Sequence, residues 1–258
     1  VQEGPEAVDS VKAALEAGYR HIDTAQGYQN EEGVGKAVKQ SGVKREDIFI
    51  TSKLTNGIRG YENTKKSIED SLRRLGTDYM DLFLVHWPVP VNFKDQWQQM
   101  NAESWRAMED ALKAGKIRAL GISNFRKHHI DELLKTAEIK PVANQIRLCP
   151  GDKQEDTVNY SREQGMLLQA YSPLGTGKLF EVPELMDIAR QTSRTIAQVA
   201  LRWSLQRGYN PLPKSITPKR IKENLDVYGF ELTKEQMDRI NALEGVVGYS
   251  ADPDHITW

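Results

Sequence analysis

The chain has 258 residues, 39% hydrophobic and 28% charged, enough apolar material for a sizeable core and outside the compositions of disordered or collagen-like chains. Lys and Arg number 35 against 36 Asp and Glu, a formal charge of −1 without long like-charge blocks, which gives no support to nucleic-acid or anionic-membrane partners. The single Cys149 excludes an internal disulfide, and neither a secretory leader nor an apolar run approaching roughly 18 residues is visible, so a cytoplasmic protein is expected; a small-molecule partner is expected too, and a monomer is the default expectation.

Pro5 to Ala17 reads as an amphipathic helix, with Ala7, Val8, Val11, Ala14 and Leu15 on one face and Gly18 as its stop. Apolar runs of strand length then follow at 19–25, 47–54, 80–87, 117–124, 142–148, 165–171 and 210–215. Between and after them, helix-period stretches fall at 30–41, 62–75, 101–115, 126–136, 153–164, 183–191, 195–207 and 218–228. Gly42, Gly76, Gly115 and Gly208 serve as helix stops. Runs such as IFIT and LFLV are apolar throughout, as suits parallel strands covered on both faces. No Ser/Gly/Pro-rich linker interrupts the alternation, so residues 1–258 are expected to form a single α/β domain.

A doubly wound sheet and an eight-stranded TIM barrel both fit this alternation. The barrel is favoured because no GxGxxG fingerprint opens a Rossmann half and because polar residues of interest end many different strands. A barrel strand should precede the helix at Pro5, and the chain does not begin with Met, so its N-terminus is expected to be incomplete. The connection 88–103 is long for a strand-to-helix loop and is expected to be a substrate-side flap, with the tail after Gly245 as a second.

In such a fold chemistry gathers where strands end. The runs here end in Asp23, Lys53, His86, Ser123 with Asn124, Gln145, Tyr171, and Lys214 with Ser215, while Tyr28 lies in a Gly-containing turn just past Asp23. Singly these read as a cap, a rim lysine and a core histidine; together they suggest a proton-delivery site. With Lys53 between Asp23 and Tyr28, the carboxylate would keep the lysine charged and the ammonium would stabilise tyrosinate. Tyr28 then becomes a usable acid, and His86 could donate a hydrogen bond to the same substrate oxygen.

In their contexts HIDTAQGYQNE, ITSKL and LFLVHWP, these four residues resemble the catalytic tetrad of the aldo-keto reductases. The likeness continues through GISNF, NQI, AYSPLGTGKL and LPKSITPKRIKEN, covering nearly the whole chain. It is similar to bacterial 2,5-diketogluconate and glyoxal reductases and to prostaglandin F synthases. The resemblance implies a (β/α)8 barrel, lacking here its N-terminal hairpin and first strand, that uses NADPH to reduce aldehydes and ketones with Tyr28 as proton donor. By motif, Ser123, Asn124 and Gln145 would bind the carboxamide and Tyr171 would stack on the nicotinamide. Ser172 and Leu174 would lie in the pyrophosphate loop; Lys214, Ser215 and Arg220 would clamp the 2′-phosphate, with Glu223 and Asn224 toward the adenine. Trp87, beside His86, would wall the substrate pocket.

Two other functions compete. One is an NADPH-binding regulatory or structural subunit with little turnover, against which the complete tetrad argues. The other is a Schiff-base aldolase using Lys53, which a neighbouring Asp23 would oppose by keeping the amine charged. No metal site is expected: His128 and His129 are adjacent, poor spacing for two ligands on one helix face, and read as solvated.

Overall fold

A computed structural model describes residue 1 and residues 3–258. Its elements run, in chain order, α1 Pro5–Ala17, β1 His21–Asp23, α2 Glu31–Gln40, β2 Phe49–Leu54, α3 Tyr61–Leu75, β3 Leu82–Val85, α4 Trp97–Lys113 and β4 Leu120–Ser123. They continue with α5 Lys127–Leu134, β5 Ala143–Arg147, α6 Glu155–Glu163, β6 Leu167–Tyr171, α7 Pro183–Thr192, α8 Ile196–Gln206, β7 Asn210–Leu212, α9 Pro218–Leu225 and α10 Lys234–Asn241. The sheet order is β1 to β7 in sequence. The described residues group into two compact units, Val1–Asn144 with Asp252–Trp258, and Gln145–Ala251.

In the first unit β1, β2, β3 and β4 pair parallel, each with the next, and the register aligns Asp23 with Thr51, Lys53 with Leu84, and Val85 with Ile122. Because the strands are parallel, their C-terminal ends share an edge, and Lys53 and His86 are brought to it together. Ile50, Phe83, Leu84, Val85 and Ile122 are all almost fully buried, which explains the unbroken apolar runs: these strands are covered on both faces. In the second unit β6 pairs parallel with β7, and Trp203, Leu185, Ile188, Leu168 and Val199 belong to one buried cluster.

Glycine stops behave as the periodicity predicts: Gly18 and Gly76 cap their helices in the left-handed region, at φ 112° and 62°. Three features were not read from the sequence. The 88–103 connection is shorter than expected, since a 3-10 turn over Val91–Gln96 leads straight into α4 at Trp97. The indole of Trp105 is buried and donates to the Ile139 carbonyl at 3.0 Å, which makes it an anchor for α4. A further helix, α10, precedes the tail, and its Thr233 and Gln236 form a reciprocal capping box. No helix among the described residues is long and apolar enough to cross a membrane.

Candidate active site

The first unit holds Asp23, Tyr28, Lys53 and His86. Asp23 is the last residue of β1, and the chain then turns through a 3-10 turn, Gln26–Tyr28, that carries the tyrosine. Gln26 pins this turn: its Oε1 accepts the Thr55 N–H at 3.0 Å, and its Nε2 donates to Ser67 Oγ at 2.6 Å and Ser71 Oγ at 2.9 Å. The segment bearing Tyr28 is thereby tied both to the residue just past β2 and to α3.

Lys53 is wholly buried near the end of β2. Its Nζ donates to Asp23 Oδ2 at 2.6 Å and to the Thr24 carbonyl at 2.9 Å, and lies 5.0 Å from the centre of the Tyr28 ring. Burial by itself would discharge the amine, but the Asp23 carboxylate and the neighbouring Tyr28 more than offset it, and the lysine is held above its ordinary value. It is therefore a fixed ammonium. Tyr28 is 45% exposed, so the aromatic ring rests on the charged lysine while part of the side chain faces out of the protein.

His86 follows β3 and meets Tyr28 edge to face, with ring centres 5.8 Å apart. Burial, followed by the charges of Lys53 and Arg59, pushes its imidazole down to about 3. It is neutral at ordinary pH and so retains one ring N–H as a donor and one nitrogen as an acceptor. Its carbonyl accepts from Asn124 Nδ2 at 3.0 Å, which also donates to Ser123 Oγ at 3.1 Å. Asn124 itself sits at φ 63°, a left-handed conformation that asparagine tolerates and that places its amide on the end of β3. Trp87 is 8% exposed and packs edge to face on Trp258 at 5.6 Å.

The other expected cofactor residues belong to the second unit. Gln145 is buried and donates through Nε2 to Gln169 Oε1 at 2.9 Å. Tyr171 ends β6 half-buried, Ser172 follows at φ 48°, and Leu174 precedes an irregular 3-10 segment, Gly175–Glu181. Lys214 and Ser215 lie two and three residues beyond β7; Arg220, Glu223 and Asn224 ride on α9. Lys214 and Arg220 are exposed and neither forms an ion pair among the described residues, leaving both cations available to a phosphate. That donor set fits a phosphorylated dinucleotide.

A family model described as "Aldo/keto reductase family" matches residues 2–244. The chain belongs to the aldo/keto reductase family. It is 49% identical over 258 residues to the glyoxal reductase of Bacillus subtilis (strain 168), covering 100% of this chain and 91% of the relative. Among solved structures, an aldo-keto reductase from a Medee basin deep-sea metagenome library matches at TM-score 0.94 and 38% identity, over 100% of this chain and 93% of the other. A Bombyx mori aldo-keto reductase in complex with NADP matches at TM-score 0.86 and 35% identity, over 93% and 83% of the respective chains. The chain is thus an oxidoreductase of the aldo-keto reductase type with a (β/α)8 barrel fold, the fold class anticipated from the sequence.

Several residues that shape the site escaped the sequence reading. Thr24 supplies a backbone acceptor to Lys53, and Gln26 ties down the tyrosine turn; neither carries a side-chain pattern that announces this. Arg59, in the polar stretch TNGIRGY, carries no motif in the sequence yet is 1% exposed. Of the pair His128 and His129, both expected to be solvated, His128 is exposed but His129 is not. His129 is fully buried, its Nδ1 accepts the Arg126 N–H at 3.1 Å, and its Nε2 meets Asp254 Oδ1 at 2.9 Å. Ligand-type atoms of His128, His129 and Asp254 lie within 4.8 Å of one another, a grouping that adjacency in sequence did not suggest. With Nδ1 accepting a backbone N–H, the His129 ring proton belongs on Nε2, where it donates to the carboxylate. This is the geometry of a helix cap that also holds the tail.

Proposed function

We propose that the protein reduces small aldehydes and ketones to alcohols with NADPH, Tyr28 delivering the proton. The observation that carries this reading is the buried Lys53 ammonium, 2.6 Å from Asp23 and seated under the Tyr28 ring. Bound nicotinamide would supply the hydride to the carbonyl carbon. As that bond forms, negative charge grows on the carbonyl oxygen. The Tyr28 hydroxyl transfers its proton there, and the resulting phenolate is stabilised by Lys53, whose own charge is secured by Asp23. Neutral His86 donates a hydrogen bond to the same oxygen and orients it toward Tyr28. Trp87 walls the substrate side.

Ser123, Asn124, Gln145 and Tyr171 would hold the nicotinamide end of the cofactor, and Ser172 and Leu174 its pyrophosphate. Lys214, Ser215 and Arg220 would take the 2′-phosphate that distinguishes NADPH from NADH, and Glu223 and Asn224 the adenine. The likeness to a glyoxal reductase makes small dicarbonyls the first substrates to try. The charged state of Lys53 also weighs against Schiff-base chemistry, which needs a free amine.

The test is the fall in 340 nm absorbance when NADPH and methylglyoxal, or a panel of keto sugars and aromatic aldehydes, are added, with NADH in parallel. Tyr28→Phe should lower kcat by roughly 10²- to 10⁴-fold, the contribution of a positioned acid, while leaving cofactor affinity in place. Full activity in that variant would sink the assignment. Cofactor binding without turnover of any carbonyl would favour the regulatory-subunit reading.

A further inference from the structure

Arg59 lies in the connection between β2 and α3, six residues beyond Lys53. Its Nε donates to Asn101 Oδ1 at 3.2 Å; one terminal nitrogen donates to the carbonyls of Thr55 at 2.8 Å and Ile58 at 2.7 Å, and the other to the carbonyl of Trp87 at 2.7 Å. Asn101, itself buried on α4, passes the link on by donating to the Pro88 carbonyl at 2.8 Å. Four donors are thus satisfied, but every acceptor is neutral. No carboxylate pairs with Arg59 among the described residues, and burial alone draws its guanidinium down to about 9.

A guanidinium enclosed without a counter-ion is among the costliest placements open to a side chain, and glutamine or methionine would fill similar space without that cost. What the charge and its fork of donors accomplish is specific. They gather the carbonyls of the turn that follows Lys53 and the carbonyl of Trp87, just past His86, while Asn101 holds the next one at Pro88. The groups facing His86 are the Tyr28 ring, Lys53 and Arg59, with Asp23 already paired to Lys53. Two cations and one carboxylate leave a net positive charge beneath the place where a substrate oxygen would become negative.

We propose that Arg59 is a positioning residue for carbonyl reduction, clamping the His86–Pro88 turn while keeping an uncompensated positive charge behind His86. The proposal rests on the reading of Tyr28, Lys53 and His86 as the reacting site. Its geometric part fixes His86 and Trp87 relative to Lys53. Its electrostatic part disfavours imidazolium and favours the developing oxyanion, in a low-dielectric setting where such charges act strongly.

Three variants separate the two parts. R59Q removes charge and fork; R59K keeps the charge but loses the fork; N101D keeps Arg59 and sets a carboxylate against its Nε. Circular dichroism and melting establish that each is folded. Ring resonances of ¹³C-labelled histidine, with His86 assigned through H86Q, report the His86 titration independently of activity. In R59Q and N101D the His86 midpoint should rise by about one unit or more, as expected for losing a neighbouring like charge, while R59K stays near the wild type. With NADPH and methylglyoxal, kcat should fall at least about tenfold in R59Q and R59K, with KM changing less, the pattern of a misplaced hydrogen-bond donor. Folded variants with unmoved titration and unchanged kcat overturn the proposal. So do a moved midpoint with wild-type kcat in R59Q, which makes Arg59 a bystander, and lost kcat with an unmoved midpoint in both R59Q and N101D, which makes it only a buttress. If the wild type turns over none of the carbonyls with NADPH while the His86 midpoint of the variants still moves as stated, the failure belongs to the carbonyl-reduction reading and the hold of Arg59 on His86 stands.

Discussion

Each residue near Tyr28 has its charge state set by a different balance. Lys53 is buried and would be neutral but for a carboxylate at 2.6 Å; His86 is buried among cations and loses its proton affinity. The result is a permanent cation and a permanent neutral donor on two sides of one phenol. A pH prediction follows for His86. With its imidazole near 3, lowering the pH from 8 to 5 does not protonate it, so kcat/KM should show no falling imidazole limb in that range. A pH profile of the NADPH-linked reduction checks this. A limb with a midpoint near 6.5 that disappears in His86→Gln would show that the histidine works as an ordinary titrating base instead. At this scale the sequence was informative where side-chain chemistry ended a strand, as at Asp23, Lys53 and His86. It was silent where the function of a residue came from enclosure: nothing in TNGIRGY distinguishes Arg59 from a surface arginine, because burial there arises from α4 and the turn after β3, distant in the chain.

Elements were legible to the extent that periodicity and punctuation encode them. The pattern of α1 matches its observed bounds, and the seven apolar runs each contain a strand. The helix α10 was missed although its Thr233 to Gln236 capping box is a local signal, because the helix is short and strongly polar. The start of α4 was placed late because Trp97 and its neighbours read as loop, whereas the indole of Trp97 packs on the His129 ring, with centres 5.2 Å apart. Close approach of helices is another feature periodicity does not reveal. Gly35, inside α2, has a vacant Cβ position only 2.2 Å from the Leu75 carbonyl oxygen at the end of α3. Backbone stands there, so relief would require the two helices to separate. Gly35→Ala, despite the better helix propensity of alanine, should destabilise the protein by at least the roughly 1–3 kcal/mol typical of overpacking. Urea denaturation measures it. An unchanged or raised midpoint would mean that α2 and α3 can part at little cost.

At the scale of the whole molecule, we propose that residues 1–258 fold as one domain, because the boundary between the compact units falls inside the five-residue strand β5 rather than in a linker. The same chain stores several charges or potential charges away from water, and this fixes how it responds to acid. His129, fully enclosed on α5, is pushed down to about 4 by burial and then by His128 and Arg126, despite the opposing pull of Asp254. In the unfolded chain this imidazole takes up a proton near its reference value of about 6.5, whereas in the folded chain it does not until about 4. Unfolding therefore binds a proton throughout that window. The contribution of His129 to stability is complete above about 6.5 and declines as pH falls toward about 4, by an amount on the order of 3 kcal/mol. His86 adds a loss of the same sign that extends lower, to about 3. Melting temperature measured from pH 7.5 to 4.5 should consequently fall. His129→Asn keeps an oxygen able to accept the Arg126 N–H but removes the titrating ring, so its melting temperature should decline less steeply over that range, even if it starts lower. Equal slopes for the variant and the wild type would show that the His129 ring gains its proton without unfolding, and that the carboxylates, not the enclosed imidazole, set the acid limit of the fold.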